Sequence, residues 1–495
     1  MVANVSPQPV GLFSPEQRLF TFSTMSVIAV AAYNNLSVSA ALPAIGDDLG
    51  HLAWLPWVVT VELVTSAIAV LAVGPVIDSL GTKRVVRVLL VAFIVAAVIA
   101  ALAPTMAILI LGRALQGLAA GALIATVMAA MGLAVPDHLR ARAYAANASV
   151  WGVMGLAGPA LAAGLLLVFD WPAIFLVNIP VAIFAFAVGR NTFPGPTADA
   201  PASTVDRRGL ALAAAFTFVG LGALSALAWW TPILVVAAAL LVVAYVRYER
   251  TAANPVLQIR HIVGNKFRWL NITTFLIISG GIAANSFLPV YAKAGRGFTT
   301  GEAAFTVVFM TVGWTIGAFA SSKLVETHTG EDVIVLFASI LALAVGSAAL
   351  LVGLDASLWI VFPCFFVSGL GIGGVSSVGL AVLQGKALPA QMGRVNSAHQ
   401  FIRTLGFSYG AAIGGGVLFG VVAARLGSAE LVRDLLSDDA PASVPVETIQ
   451  SVTDGFFWAL VAAAILCSLA VLASLRLRIT SIAARDERTE APVRG

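Results

Sequence analysis

Fourteen long runs of apolar side chains follow one another along the chain, joined by short polar connections. The first six cover residues 20–42, 54–77, 85–103, 106–133, 144–169 and 172–189; the seventh and eighth cover 210–228 and 231–248. The last six cover 270–291, 303–324, 333–352, 358–383, 398–424 and 456–475. A helix of roughly 20 apolar residues crosses a hydrocarbon layer about 30 Å thick, so the pattern predicts an all-α integral membrane protein with 14 transmembrane helices. A polar stretch with one arginine precedes the first run and no small-residue cleavage site follows it, which reads as a retained helix and not a signal peptide.

Composition strengthens that reading. Of 495 residues, 60% are hydrophobic and 11% charged, with a mean hydropathy of +0.97. A soluble chain carries about 25% charged residues, so a soluble enzyme is excluded. Cys364 and Cys467 both lie inside apolar runs, which argues against a disulfide framework or a cysteine metal site. The five histidines are scattered without metal-ligand spacing, and Gly385-Lys386 lacks the rest of a phosphate-binding loop. No metal, cofactor or nucleotide hydrolysis is expected.

The net charge of +4 reflects membrane topology and not nucleic-acid binding. Of the 28 Lys and Arg, 22 fall in loops on one side and 4 on the other, leaving Arg113 and Arg403 within or at the edge of helices. The positive-inside rule therefore places both termini and the loop 78–87 in the cytoplasm, in a bacterial inner (plasma) membrane. Pro136, Arg140, Gly155 and Gly164 are echoed by Pro389, Arg394, Gly406 and Gly415, which suggests a parallel duplication of six helices. The expected organisation is an N-terminal six-helix bundle at 1–190, a linker with two extra helices at 191–268, a C-terminal six-helix bundle at 269–476 and a tail at 477–495. The two inserted helices hold almost no polar side chain beyond Thr217, Ser225 and Thr231, so they are expected to face lipid.

Other helices are more polar. The first carries Tyr33, Asn34, Asn35, Ser37 and Ser39; the ninth Asn271, Thr273, Thr274, Ser279 and Asn285; the thirteenth His399, Gln400, Arg403, Ser408 and Tyr409. Polar groups persist in hydrocarbon only against partners or water, so these faces are expected to line a central cavity; helix-to-helix hydrogen bonding is the alternative.

The loop after the second run reads Gly74-Pro-Val-Ile-Asp78-Ser-Leu-Gly81-Thr-Lys83-Arg84. It resembles the cytoplasmic signature of the major facilitator superfamily, Gly-x-Leu-x-Asp-Arg-x-Gly-Arg-Lys. Gly74, Asp78, Gly81 and Lys83 match, whereas Val76, Ser79 and Thr82 depart from it. Gly74 permits close helix approach, Asp78 suits the positive N-terminus of another helix, and Lys83 and Arg84 suit an anionic leaflet. These five residues are the expected cytoplasmic gate.

Leu109-Ile-Leu-Gly-Arg113-Ala-Leu-Gln116-Gly117 resembles a second motif of that superfamily, Leu-x-x-x-Arg-x-x-Gln-Gly, and the resemblance links Arg113 to proton coupling. Gly155, Gly158 and Pro159 in the fifth run resemble the antiporter signature Gly-Pro-x-x-Gly-Gly, with Ala162-Ala163 in place of the final glycines. Trp171-Pro-Ala-Ile-Phe175-Leu-Val-Asn178-Ile-Pro180 keeps part of the signature of the fourteen-helix members. Together the motifs and span count are similar to the fourteen-helix drug:proton antiporter subfamily of the multidrug efflux type.

One departure bears on mechanism. Aligned on Ala41-Leu42-Pro43, Asn34 stands where that subfamily usually has an aspartate in helix one, and an amide carries no exchangeable charge. Glu62, in Trp57-Val-Val-Thr60-Val-Glu62-Leu, is the one acid of 24 that sits well inside an apolar run. It is the candidate proton carrier, with Arg113 as its partner; a permanent structural pair is the alternative. Tyr33, Asn34, Gln116, Asn285, Phe287, Gln400 and Phe401 are the candidate substrate-cavity residues. The expected function is proton-coupled export of hydrophobic or cationic small molecules by alternating access, by a monomer whose partners are substrate, protons and membrane lipids and not nucleic acid. Rival readings are a dedicated exporter of an endogenous metabolite or lipid, an uncoupled facilitator, and a transporter-like sensor. The loop 425–454, with six acids against two arginines, reads as a solvated connection or an attractor of cations.

Overall fold

A computed structural model describes residues 11–50, 54–196, 206–225, 231–253, 255–426 and 446–490. The side chains of Ser39, Thr60, Pro159 and Ser225, and most of the acidic loop 425–454, lie outside the described residues. The described residues are helical with no strand. The helices are α1 (Arg18–Leu49), α2 (Leu55–Ala101), α3 (Met106–Ala134), α4 (Asp137–Leu166), α5 (Ala173–Leu176), α6 (Asn178–Gly189), α7 (Arg207–Ser225), α8 (Thr231–Glu249) and α9 (Arg260–Val263). Then come α10 (Arg268–Asn285), α11 (Leu288–Val290), a π-helical turn (Tyr291–Gly295), α12 (Thr300–Phe305), α13 (Val307–Leu324), α14 (Gly330–Gly353) and α15 (Leu358–Gly385). A 3₁₀ turn (Pro389–Gln391) leads into α16 (Met392–Leu426), and α17 is Val446–Glu490.

Among the described residues, nine helices are long and apolar enough to cross a membrane, or ten if the bent α4 counts as one span. This is fewer than the expected fourteen, and local chemistry accounts for several of the differences. The second and third expected runs form one 45-residue stretch, Trp57–Ala101, broken at Gly81. Gly81 has φ 74° and ψ 153°, a conformation open to glycine and strained for other residues. A Cβ there would also overlap the backbone of Gly195 and Pro196. The sixth run divides into α5 and a twelve-residue α6. Pro180 has no N–H to give to Leu176, so the hydrogen-bond ladder fails at that point. α4 bends by 44° between Asp137–Gly155 and Ala160–Leu166, and Pro159, which has no N–H to offer Gly155, lies in the break.

The chain divides into two compact units. The first comprises Met1–Ala211, Glu249–His261 and Leu383–Phe401. Here α2 and α3 form the main packing pair, and small residues explain how closely they approach. A Cβ on Gly117 would overlap the Glu62 carbonyl, one on Gly121 would overlap the Ser66 carbonyl, and one on Gly112 would lie 2.9 Å from Ala100 Cα. In a low-polarity medium such close backbone contact is a main source of helix association. α1 packs on α4 and α6, and an apolar cluster including Tyr33, Val58, Leu109, Trp171 and Phe175 fills the space beside them.

The second unit comprises Leu212–Tyr248, Ile262–Val382 and Ile402–Gly495. α17 packs on α10 and α14. α10 and α16 run side by side: Gly406 faces Ile278, Gly410 faces Ser279 and Gly414 faces Ala283. α8 leaves Ile233, Val235, Val236, Leu240, Val242 and Val243 exposed, an apolar surface that water would not tolerate at this extent.

Candidate functional site

Three helices of the first unit bring Asn34, Glu62, Arg113 and Gln116 together. α2 supplies Glu62, α3 supplies Arg113 and Gln116 one turn apart, and α1 supplies Asn34; Glu62 and Arg113 are respectively 0% and 1% exposed. Arg113 Nη2 lies 3.7 Å from Glu62 Oε2. Arg113 Nη1 donates to Asn34 Oδ1 at 2.9 Å and to Gln116 Oε1 at 3.0 Å. Its Nε donates to the Val58 carbonyl at 3.0 Å, and Phe175 lies 5.9 Å from the guanidinium carbon. Asn34 Nδ2 donates to Glu62 Oε1 at 3.4 Å.

The amide of Asn34 therefore bridges the two charged groups, giving to the carboxylate and accepting from the guanidinium. Buried opposite charges hold each other against desolvation only while both are present. The arrangement is incomplete in one respect: Glu62 Oε2 and Gln116 Nε2 have no hydrogen-bond partner among the described residues. A carboxylate with one oxygen free of donors is chemically able to take a proton and give it back. Tyr33 and Ser37, on the same helix as Asn34, are buried as well.

A second constellation forms where α2 breaks. Asp78 Oδ1 accepts from the backbone N–H of Gly393 at 2.6 Å, and Oδ2 accepts from that of Arg394 at 3.1 Å. These two N–H groups belong to the first turn of α16, so Asp78 caps that helix and meets the positive end of its dipole. Arg394 Nε lies 4.0 Å from the same carboxylate. Gly74 makes room for the contact, because a Cβ there would fall 2.8 Å from Ser397 Oγ. Gly393 reciprocates against the Gly74 carbonyl at 2.5 Å. The turn is tied down by Thr82 Oγ1 and Lys83 N, which donate to the Pro194 carbonyl at 3.0 and 2.9 Å. Lys83 is half-buried and Arg84 exposed.

Asp78→Asn should loosen this cap. The amide keeps one acceptor and turns a donor toward a backbone N–H, and a hydrogen bond to a charged group is worth about 1.5–3 kcal/mol. The expected readout is alkylation of a cysteine placed at buried Ser397, in a protein lacking Cys364 and Cys467. Its rate should rise about tenfold in Asp78→Asn; an unchanged rate would show that the cap does not hold α16.

Sequence reasoning missed a third cluster in the same unit. Tyr144 donates its hydroxyl hydrogen to Gln384 Oε1. Gln384 Nε2 donates to the Met128 carbonyl at 2.8 Å and to Asn396 Oδ1 at 2.6 Å. Asn396 in turn donates to the Met392 carbonyl at 2.8 Å. Gln384 thereby joins the end of α15 to α3, α4 and α16. The signal for it was slight, because Gln384 sits at the end of an apolar run beside Gly385-Lys386 and reads as a loop residue.

The remaining candidates are spread over both units. Tyr33, Asn34, Gln116, Gln400 and Phe401 belong to the first unit, and Asn285 and Phe287 to the second. Phe401 is buried and Gln400 part-buried. Asn285 Nδ2 donates to the Gly281 carbonyl at 2.7 Å and to Ser368 Oγ at 3.3 Å. Phe287 stands edge-on to Phe419 at 5.7 Å. Gly155 ends the first segment of the bent α4, and Gly158 lies in the break.

Comparison with known proteins agrees with this architecture. The chain is 30% identical over 434 residues to the uncharacterized MFS-type transporter Rv1877 of Mycobacterium tuberculosis, covering 84% of this chain and 62% of that one. The chain thus spans less than two thirds of the length of that relative. It is 26% identical over 402 residues to the multidrug transporter protein MdtP of Bacillus subtilis, covering 78% of this chain and 73% of the other. A crystal structure of a bacterial homologue of the iron transporter ferroportin, in an outward-facing state, superposes with a TM-score of 0.64 at 12% identity, over 93% of this chain and 99% of that one. The Major Facilitator Superfamily profile matches residues 23–411, well over half of the chain. With its helical fold, its multi-pass pattern and these matches, the chain belongs to the Major Facilitator Superfamily of membrane transporters.

Proposed function

We propose that the protein is a proton-coupled antiporter that exports hydrophobic or cationic small molecules by alternating access, within the fourteen-helix drug:proton antiporter subfamily. The observation that carries the reading is the buried Glu62–Arg113 pair, with Asn34 between the two side chains and one carboxylate oxygen unpartnered. Where the subfamily has an acid on helix one, this chain has moved the acid to the neighbouring helix and kept an amide in its old place. The net charge of the cluster is preserved, and so is its ability to exchange a proton. The likeness to MdtP supports multidrug export as the substrate range. Fourteen spans follow if α2 counts as two and the shorter or bent helices also cross. The loop 78–87 then faces the cytoplasm of a bacterial inner membrane. There Asp78, Gly74 and the first turn of α16 act as a gate that opens once per cycle.

The test is transport by the full chain in liposomes with an imposed pH gradient and ethidium as the first probe. Accumulation against the ethidium gradient, dissipated by a protonophore, is the expected result. Equilibration without accumulation, across several cationic and neutral dyes, would replace the antiporter with a facilitator. Ligand binding with no flux at all would point to a sensor.

A further inference from the structure

Arg403 is a charged side chain that the proton-coupling reading does not use. It lies in α16, within the apolar stretch Pro389–Leu426, in the second unit. It is part-buried. Among the described residues it has no hydrogen bond and no ion pair. The acids of its own unit with assigned partners are engaged elsewhere: Asp332 with Arg478, Asp355 with Arg296 and Asp454 with Arg425.

Depth makes this lone cation informative. Gly393, held by Asp78 at the level of the α2 break, lies ten residues earlier on the same helix. At ~1.5 Å per residue Arg403 sits about 15 Å farther along α16. That exceeds the reach of an arginine side chain back along its own helix, so snorkelling does not bring it to the start of α16. An unpaired guanidinium within an apolar span is costly, and such groups mark ligand or ion pathways by default.

The surroundings describe the rest of a ligand. Phe407, one turn on from Arg403, is 38% exposed and stacks on Trp314 with ring centroids 6.1 Å apart at 13°. Helical side chains lean toward the N-terminus, so this ring covers the turn that carries Arg403. Cation and stacked rings together suit a planar apolar body bearing a carboxylate or phosphate, since a guanidinium grips either group through two parallel hydrogen bonds.

We propose that Arg403 recognises the acid group of an amphipathic organic anion, so that the hydrophobic substrates of this transporter are in part acids. The proposal narrows the function given above and rests on that reading for the word substrate. The same chemistry could be satisfied by a lipid phosphate, and the experiment separates the two sources.

Wild-type protein, Arg403→Gln and Arg403→Lys are placed in nanodiscs of phosphatidylcholine, with and without phosphatidylglycerol. Binding of pyrenebutanoic acid and of its uncharged primary amide is followed by fluorescence anisotropy. The wild type is expected to prefer the acid by about tenfold, as for one charge-assisted contact. Arg403→Gln should lose that preference and Arg403→Lys should keep part of it. Equal binding of acid and amide to the wild type, or a preference that survives in Arg403→Gln, would overturn the assignment. So would loss of a co-purifying phosphatidylglycerol in Arg403→Gln with no change in acid preference, because the anion would then be lipid. Should Arg403→Gln fail to fold, phenylglyoxal labelling of Arg403 in the wild type decides the matter: the acid should protect it and the amide should not. Binding is read without a proton gradient, so failure of proton coupling leaves this result standing.

Discussion

Glu62→Gln is expected to abolish uphill transport while leaving exchange of substrate across the membrane. Glutamine has the shape of glutamate and keeps an acceptor for the Asn34 amide, but it holds no exchangeable proton at Oε2. Removing a positioned proton-transfer group typically costs ~10²–10⁴ in rate, so gradient-driven flux should fall by at least about a hundredfold. Counterflow of labelled substrate, which needs no net proton movement, should continue. The split between the two measurements is what identifies a coupling residue. If Glu62 serves only as a structural partner of Arg113, both rates fall together with the folded fraction. Uphill flux that persists in Glu62→Gln would remove Glu62 from the coupling mechanism.

Arg113→Leu is expected to have the largest effect on stability. It strips the Glu62 carboxylate of its paired cation and removes the donors to Asn34, Gln116 and Val58. Breaking a buried pair from one side costs about 3–5 kcal/mol, mostly the cost of the charge left behind. Replacing both partners leaves no such charge, so the double variant Glu62→Gln/Arg113→Leu should be more stable than Arg113→Leu alone. Equilibrium unfolding of all four proteins gives the coupling energy, expected to reach at least about 1 kcal/mol. A coupling indistinguishable from zero would show that the 3.7 Å approach is not an energetic pair. Arg113→Lys should fall between, since one ammonium cannot reproduce a planar fork serving Val58, Asn34 and Gln116 at once.

Much of the architecture was legible because lipid simplifies the code. A helix that must satisfy its backbone internally and face hydrocarbon shows itself as an apolar run of the right length, whatever its tertiary contacts. The break at Gly81 was legible as well, since a glycine among Asp78, Lys83 and Arg84 marks a turn. The division of the sixth run was not anticipated, although Pro180 was in view: a short apolar stretch with one proline reads equally as a kinked helix or as two helices. Residue chemistry also singled out Glu62, because a lone acid in an apolar run is conspicuous. Hydropathy could not say what Glu62 touches.

Contacts of that kind join positions far apart in the chain. Asn34, Glu62 and Arg113 lie on three helices, and their meeting depends on how closely Gly117 and Gly121 let α3 approach α2. Gln384 looked like the end of a span until Tyr144, Met128 and Asn396 closed around it. Arg403 looked like one polar residue among five on its helix. That it has no partner among the described residues is a property of the packed structure.

The sequence by itself determined the solvent of this protein, the class of its fold and the residue types able to carry charge within it, because burial in lipid selects directly on composition and run length. Tertiary structure alone decided which of those charges are paired among the described residues. Pairing depends on interhelical distances of a few ångströms, and those are set by small-residue contacts between segments distant in the chain.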